Sequence, residues 1–305
     1  MFRRNRHLIW VPFSVVFLLA ATLSIVSAFP PNSMPFLTYK GTGNDTEAGE
    51  YYSNLDLTLG PASTLDQWKS LYGFNGVNDV RAVYYNAGDL GFGREMHCRK
   101  NVADVACYVI NHGHGAGGPP EQSASAAANN QLNLPTVAMV YKAVLNGQPN
   151  DVAFYIFDPA GNRINKVALD GEGDKYVPYL CLPCHGGNYD PTANSVTDAS
   201  FLPFDAPSFR YSAQAGYNLS DQQEAFRQLN SLVRDTNPTA LITELIDGWY
   251  ANTGGVNTPG STLDDSFVAS GYSGDPGLYN NVVKHYCRAC HTAQSFNLEI
   301  GRAHV

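Results

Sequence analysis

The chain has 305 residues and a formal net charge of −8, with 27 acidic against 19 basic side chains. That balance argues against nucleic acid or an anionic lipid surface as a partner, since both are bound through clustered Lys and Arg. The length allows one large or two ordinary domains with a sizeable core.

Residues 1–28 begin with Arg3, Arg4 and Arg6, continue as an apolar run and end on Val26-Ser27-Ala28. This is the layout of a secretory signal peptide cleaved after Ala28. An uncleaved anchor is the alternative, because residues 8–28 are nearly long enough to span a bilayer; Pro12 and the small-residue site favour cleavage. Export to the periplasm or the extracellular space is therefore expected, with membrane contact only through this segment if it is retained. Cleavage removes three arginines and no acids, which leaves 277 residues with a formal charge of −11.

From about residue 36 to 175 the signals are mostly β. "RAVYY", "VACYVIN", "TVAMVY" and "DVAFYIF" are rich in β-branched and aromatic residues. Residues 95–99 and 105–111 read as two strands around a turn at 100–104. Six cysteines in an exported chain suggest disulfides, and Cys98 opposite Cys107 would pair across this hairpin. Opposed residues then sum to 205, so His97 faces Tyr108. Alternation sets His97, Tyr108 and His112 on one face, with His114 too if the strand continues, and the disulfide on the other. Residues 113–130 read as a flexible loop. Asn146-Gly147 and residues 158–162 ("DPAGN") offer turns.

After residue 176 the composition changes to loops and helices. "CLPCHGG" (181–187) puts two thiols and an imidazole within five positions, and "CRACHTA" (287–293) repeats the pattern. A thioredoxin-like pair would need C-x-x-C at a helix start after a strand, and leaves the His incidental. A zinc site would need the two clusters to meet as four cysteine ligands. Covalent haem uses all three residues in both copies: the thiols add to the porphyrin vinyl groups and the His ligates the iron. In Cys181-Leu-Pro-Cys184-His185 and Cys287-Arg-Ala-Cys290-His291 the chain resembles the c-type cytochromes. The resemblance covers these residues alone. It implies two covalently bound haem c groups, with His185 and His291 as proximal ligands.

A small single-haem cytochrome domain carries a ligating Met some tens of residues after its motif. Here Met1, Met34, Met96 and Met139 all precede the first motif, and no histidine lies between His185 and His285. The sixth ligand comes from elsewhere, or the position is open. His97 is the first choice, followed by His112 and His114 on the same hairpin. His285 is a fourth candidate. Asp275-Pro276 starts a helix that can run through the second motif, and His285 lies about 200° around it from Cys287. Met139, in a strand-like run, reads as core.

Residues 220–235 read as a helix capped by Ser220, and residues 238–250 as a second. The last seven residues, "EIGRAHV" (299–305), match an in-frame translation of a sequencing-adapter read and are expected to be foreign to the natural chain, so His304 is set aside.

The expected fold is α+β: a β-rich, sandwich-like region over 29–175 carrying candidate distal ligands, then a haem-attachment region over 176–305. The expected function is an exported dihaem electron carrier. Its partners would be redox proteins or other cytochromes, with self-assembly into a chain of haems as one form. A dihaem enzyme such as a peroxidase, with one open iron, is the alternative, and a haem-based sensor or adhesive surface protein is a third.

Overall fold

The computed structural model describes residues 36–293, apart from 87–88, 103, 115–118, 146–147 and 237. For residues 144–145 and 148–151, and for Tyr286, Ala289 and Cys290, it describes the backbone alone. The leader, the Asn146-Gly147 turn and the tail at 299–305 lie outside the described residues. So do Met34 and His304.

The described residues belong to one compact unit. Its centre is a five-stranded antiparallel meander, β1 (Val80–Tyr85), β2 (Gly93–Asn101), β3 (Asp104–His112), β4 (Asn133–Leu145) and β5 (Gln148–Phe157), in sequential order. The β2–β3 register is the expected one, with Cys98 opposite Cys107 and His97 opposite Tyr108. The Cys98–Cys107 disulfide is formed. In β5, Val152 through Phe157 are all 2 % exposed or less. Both faces of the sheet are covered there, so an uninterrupted apolar run replaces the in–out alternation of a half-exposed strand.

The N-terminal half is α+β, but one sheet with helices stands where a sandwich of two sheets was expected. Helices α1 (Asp45–Leu59) and α2 (Leu65–Leu71) cover one face. The Asn44 side chain caps α1 by accepting from the Glu47 N–H at 3.0 Å. Its aromatic residues look like strand formers in sequence, yet they pack on and seal the sheet. The N–H groups of Phe154 and Ile156, on the edge strand, donate to the hydroxyls of Tyr51 (2.8 Å) and Tyr52 (3.0 Å). An unpaired strand edge is thereby closed by side chains. Behind α1 and α2, Tyr155 stacks on Tyr52 with centroids 5.9 Å apart, and Trp68 meets Tyr108 at 6.1 Å.

Residues 113–130 are not simply a flexible loop. Pro120–Ala128 forms α3, with Ser123, Ala124, Ala126 and Ala127 buried. Its small residues allow a close approach that composition conceals: a Cβ on Gly93 would lie 2.0 Å from the Ser123 carbonyl oxygen.

Further along, β6 (Lys166–Val167) pairs with β7 (Lys175–Tyr176), and a single turn α4 (Leu182–His185) leads into a hairpin of β8 (Gly186–Asp190) and β9 (Ser195–Ala199). Helix α5 (Leu219–Arg234) is capped by Asn218 rather than Ser220, because the Asn218 side chain accepts from the Asp221 N–H. Its Gln222 closes the other sheet edge. That side-chain amide accepts from Val83 N–H (2.6 Å) and donates to Val83 C=O (2.8 Å), as a neighbouring strand would. Thr239 caps α6 (Ala240–Tyr250).

The run into the second motif starts as expected, with Asp275 accepting from Leu278 N–H. It proceeds through α7 (Pro276–Leu278), a wider π turn over Tyr279–Val283, and α8 (Lys284–Tyr286). After Cys287 it ends in α9 (Arg288–His291). Among the described residues no helix is long and apolar enough to cross a membrane.

A candidate haem cavity at the first motif

The turn α4 brings Cys181, Cys184 and His185 to one wall of a cavity. Positions i, i+3 and i+4 share a helix face, and the turn is closed by bonds from Cys184 and His185 N–H to the Cys181 carbonyl. Cys181 is a buried free thiol. Burial pushes the Cys181 thiol well above its ordinary pKa.

His185 is clamped twice by Ser200, the residue following β9. Its carbonyl accepts from Ser200 N–H at 2.8 Å, and its Nδ1 lies 2.9 Å from the Ser200 carbonyl oxygen. A carbonyl only accepts, so Nδ1 carries the proton and Nε2 keeps its lone pair. This is how ligating histidines are commonly oriented. Burial pushes the imidazolium pKa down to about 4, partly offset by the bond to Ser200. The residue is only half-buried by surface, and it lines the cavity. The ring sits 5.5 Å from Phe154.

The glycine pair after the motif makes this clamp possible. Gly186 and Gly187 have φ of +71° and +77°, a region that side chains rarely adopt. A Cβ on Gly187 would lie 2.4 Å from the Thr197 carbonyl oxygen.

The cavity opens to solvent on one side. Its sheet wall includes Met96, Val109, Val137 and Met139, and Phe204, Phe209 and Trp249 add aromatic surface. Against this apolar lining stand two arginines. Arg94 donates through Nη2 to Asp89 (2.6 Å) and through Nη1 to Asn111 (3.1 Å), while its buried Nε has no partner among the described residues. An unspent donor in an apolar cavity suits a ligand with anionic groups, such as the two carboxylates of haem. Arg288, from the second motif, donates through Nε and Nη2 to Asp205 Oδ2 (2.9 and 2.5 Å) and through Nη1 to the Tyr279 hydroxyl (2.9 Å). Turns α4 and α9 are spatial neighbours.

The two motifs therefore meet, yet no group of three or more His, Cys, Asp or Glu among the described residues is placed to hold a metal ion. The first motif fits haem: two thiols, an oriented imidazole, apolar walls and a spare arginine donor. The second is less complete in the described residues. Cys287 and His291 are half-buried, the Cys290 side chain lies outside them, and a recess of about 280 Å³ lined by Arg288 and Thr292 is the space nearby.

The candidate distal histidines lie elsewhere. His97 stacks on Tyr108 (4.6 Å, 4°) and its Nε2 is 2.9 Å from Glu95 Oε1. His112 is fully buried, with Nδ1 2.9 Å from the Gln131 carbonyl and Nε2 3.8 Å from Glu95 Oε2. His114 and His285 are exposed. None of the four lines the cavity. The reason is parity: the alternation that groups the hairpin histidines sets them on the face away from the disulfide, and the cavity forms on the disulfide side, where Cys107 lines it. Met96 and Met139 share the parity of Cys98 and Cys107. That signal was available from the same register argument that grouped the histidines. In comparisons with known proteins, no family model, no curated protein and no solved structure matches this chain.

Proposed function

We propose that this is an exported dihaem c-type cytochrome that carries electrons. Haem would be attached through Cys181 and Cys184 with His185 as proximal ligand, and again through Cys287 and Cys290 with His291. The observation that carries the reading is the cavity wall on which both thiols and the Ser200-oriented imidazole of the first motif converge. Bound haem supplies a one-electron iron couple. The chain's own residues supply the rest. The Ser200 carbonyl holds the His185 proton on Nδ1, the sheet wall keeps water from the ring faces, and Arg94 offers a donor to an anionic edge. Met96 and Met139 are the thioethers within the cavity lining and replace His97 and His112 as candidates for the first centre's sixth position. A disulfide fits an oxidising compartment and supports export. Redox proteins or further cytochromes would be the partners.

One observation favours a second reading, an enzyme with an open iron: Asp205 lines the same cavity and its Oδ1 has no partner among the described residues, which supplies a potential acid/base group. The test is to express the chain with c-type haem maturation, count haem per chain by mass, and record low-temperature EPR of the oxidised protein. Two haems and two low-spin signals are expected. A substantial high-spin signal transfers the argument to the enzyme, and a chain without haem ends both readings.

A further inference from the structure

We infer that Arg288, a spacer residue of the second motif, sets the reduction potential of the centre at the first motif. The inference rests on the haem reading above. Arg288 is 2 % exposed and lines the cavity that Cys181, Cys184 and His185 line. Its guanidinium is fixed by Asp205 and Tyr279 and lies 5.1 Å from the Trp249 ring centroid. Among the described residues, no other residue of the second motif lines this cavity. At the matching position the first motif has Leu182, buried and apolar. The charge is therefore specific to the second motif, and it lines the first motif's cavity as well as the recess beside its own.

The physics needs no docked ligand. Reducing an iron in the cavity adds one electron from a one-electron donor, with no bond made or broken, and so adds one negative charge. A fixed guanidinium in a poorly screened wall favours that change, and the Asp205 carboxylate opposes it. Because the two groups form a buried pair, removing either one leaves the other's charge uncompensated. The two removals must then move the potential in opposite directions. A disturbed fold would give no such opposition of sign. The coupling also links the two motifs: anything that displaces α9 changes the field at α4, and the effect is reciprocal for the equilibria involved.

The experiment is a spectroelectrochemical titration of the full haem-loaded chain, with dithionite and ferricyanide as chemical end points. It is repeated in a Cys287→Ala/Cys290→Ala background, where the first centre is read alone. Arg288→Gln should lower the first centre's potential, Asp205→Asn should raise it, and Arg288→Lys should remain closest to the parent. Shifts of the same sign for Arg288→Gln and Asp205→Asn, or no shift in either, overturn the inference. If Arg288→Gln yields no folded, loaded chain, Asp205→Asn decides alone: a potential that fails to rise overturns it. A parent chain that takes up no haem overturns the functional reading and this one with it, and is told apart by the haem count.

Discussion

The two C-x-x-C-H motifs are nearly the same five residues, yet the chain treats them differently. The first is an isolated turn, entered from β7 and left through Gly186 and Gly187, with its histidine clamped by Ser200. The second ends a helical run and continues into Thr292, whose carbonyl accepts from the Thr239 hydroxyl at 2.9 Å. Their buried spacers differ in kind, Leu182 against Arg288. A motif of this type fixes where covalent bonds can form. If haem is attached as proposed, its potential and sixth ligand would depend on walls delivered by distant parts of the chain, and only the first motif has its walls among the described residues.

The largest effect that tests this contrast is loss of attachment. Cys181→Ala with Cys184→Ala should yield a chain carrying one haem by intact mass, with the centre at His291 retained. A double variant that still carries two haems would show that the cavity at α4 is not an attachment site.

Next come the two thioethers. Met139→Ala should cost about 2–5 kcal/mol of stability, as for a buried core side chain, and Met96→Ala, half-buried at the cavity wall, should cost less. Only one of them should also abolish the red absorption band of a thioether–iron(III) bond and lower the potential, since thioether ligation raises it. If both variants keep the parent spectrum, the first centre takes its sixth ligand from outside this wall.

Gly187→Ala addresses the clamp. At φ +77°, with a Cβ 2.4 Å from the Thr197 carbonyl oxygen, the substitution should destabilise by about 3 kcal/mol. The first centre's spectrum should change more than the second's. Urea denaturation of the loaded chain measures the first quantity; a loss within about 0.5 kcal/mol, the range of ordinary surface changes, would contradict the geometry.

How much of this was legible depends on whether the determinants were local. The β2–β3 hairpin was readable because two cysteines fix both partner and parity, and with parity came the register of every residue between them. The α5 and α6 helices were readable from their periodic apolar residues, although the Asn218 cap sits two positions before the expected Ser220. α1 was not, because Tyr51 and Tyr52 serve strand-like and helical packing equally well, and what decides is the unpaired edge of β5. α3 looked like a linker because its Ala and Ser residues carry little apolar signal; their smallness matters only opposite Gly93. The two motifs stand in the sequence itself. The cavity was not, since Met96, Phe204, Trp249 and Arg288 meet only through the tertiary fold.

The smallest effect expected at the proposed haem sites sharpens a second contrast, between the two faces of the sheet. On the histidine face, Glu95 lies between His97 (2.9 Å), Arg81 (2.8 Å) and His112. Burial alone would raise its pKa, but the hydrogen bonds from His97 and Arg81 outweigh burial and hold the carboxyl near 2. The sign follows from linkage. A carboxylate depressed from 4.5 to about 2 on folding binds fewer protons folded than unfolded between those values, so its stabilisation is complete above pH 4.5 and is lost as pH falls toward 2. The loss is on the order of 3 kcal/mol. Glu95→Gln should therefore be less stable than the parent at pH 7, and its stability should fall less steeply below pH 4.5. His97→Ala should weaken the same acid dependence while leaving both low-spin haem signals unchanged. A changed haem spectrum in His97→Ala would mean that the histidine face reaches an iron after all, and the parity argument that assigns the cavity to Met96 and Met139 would fall with it.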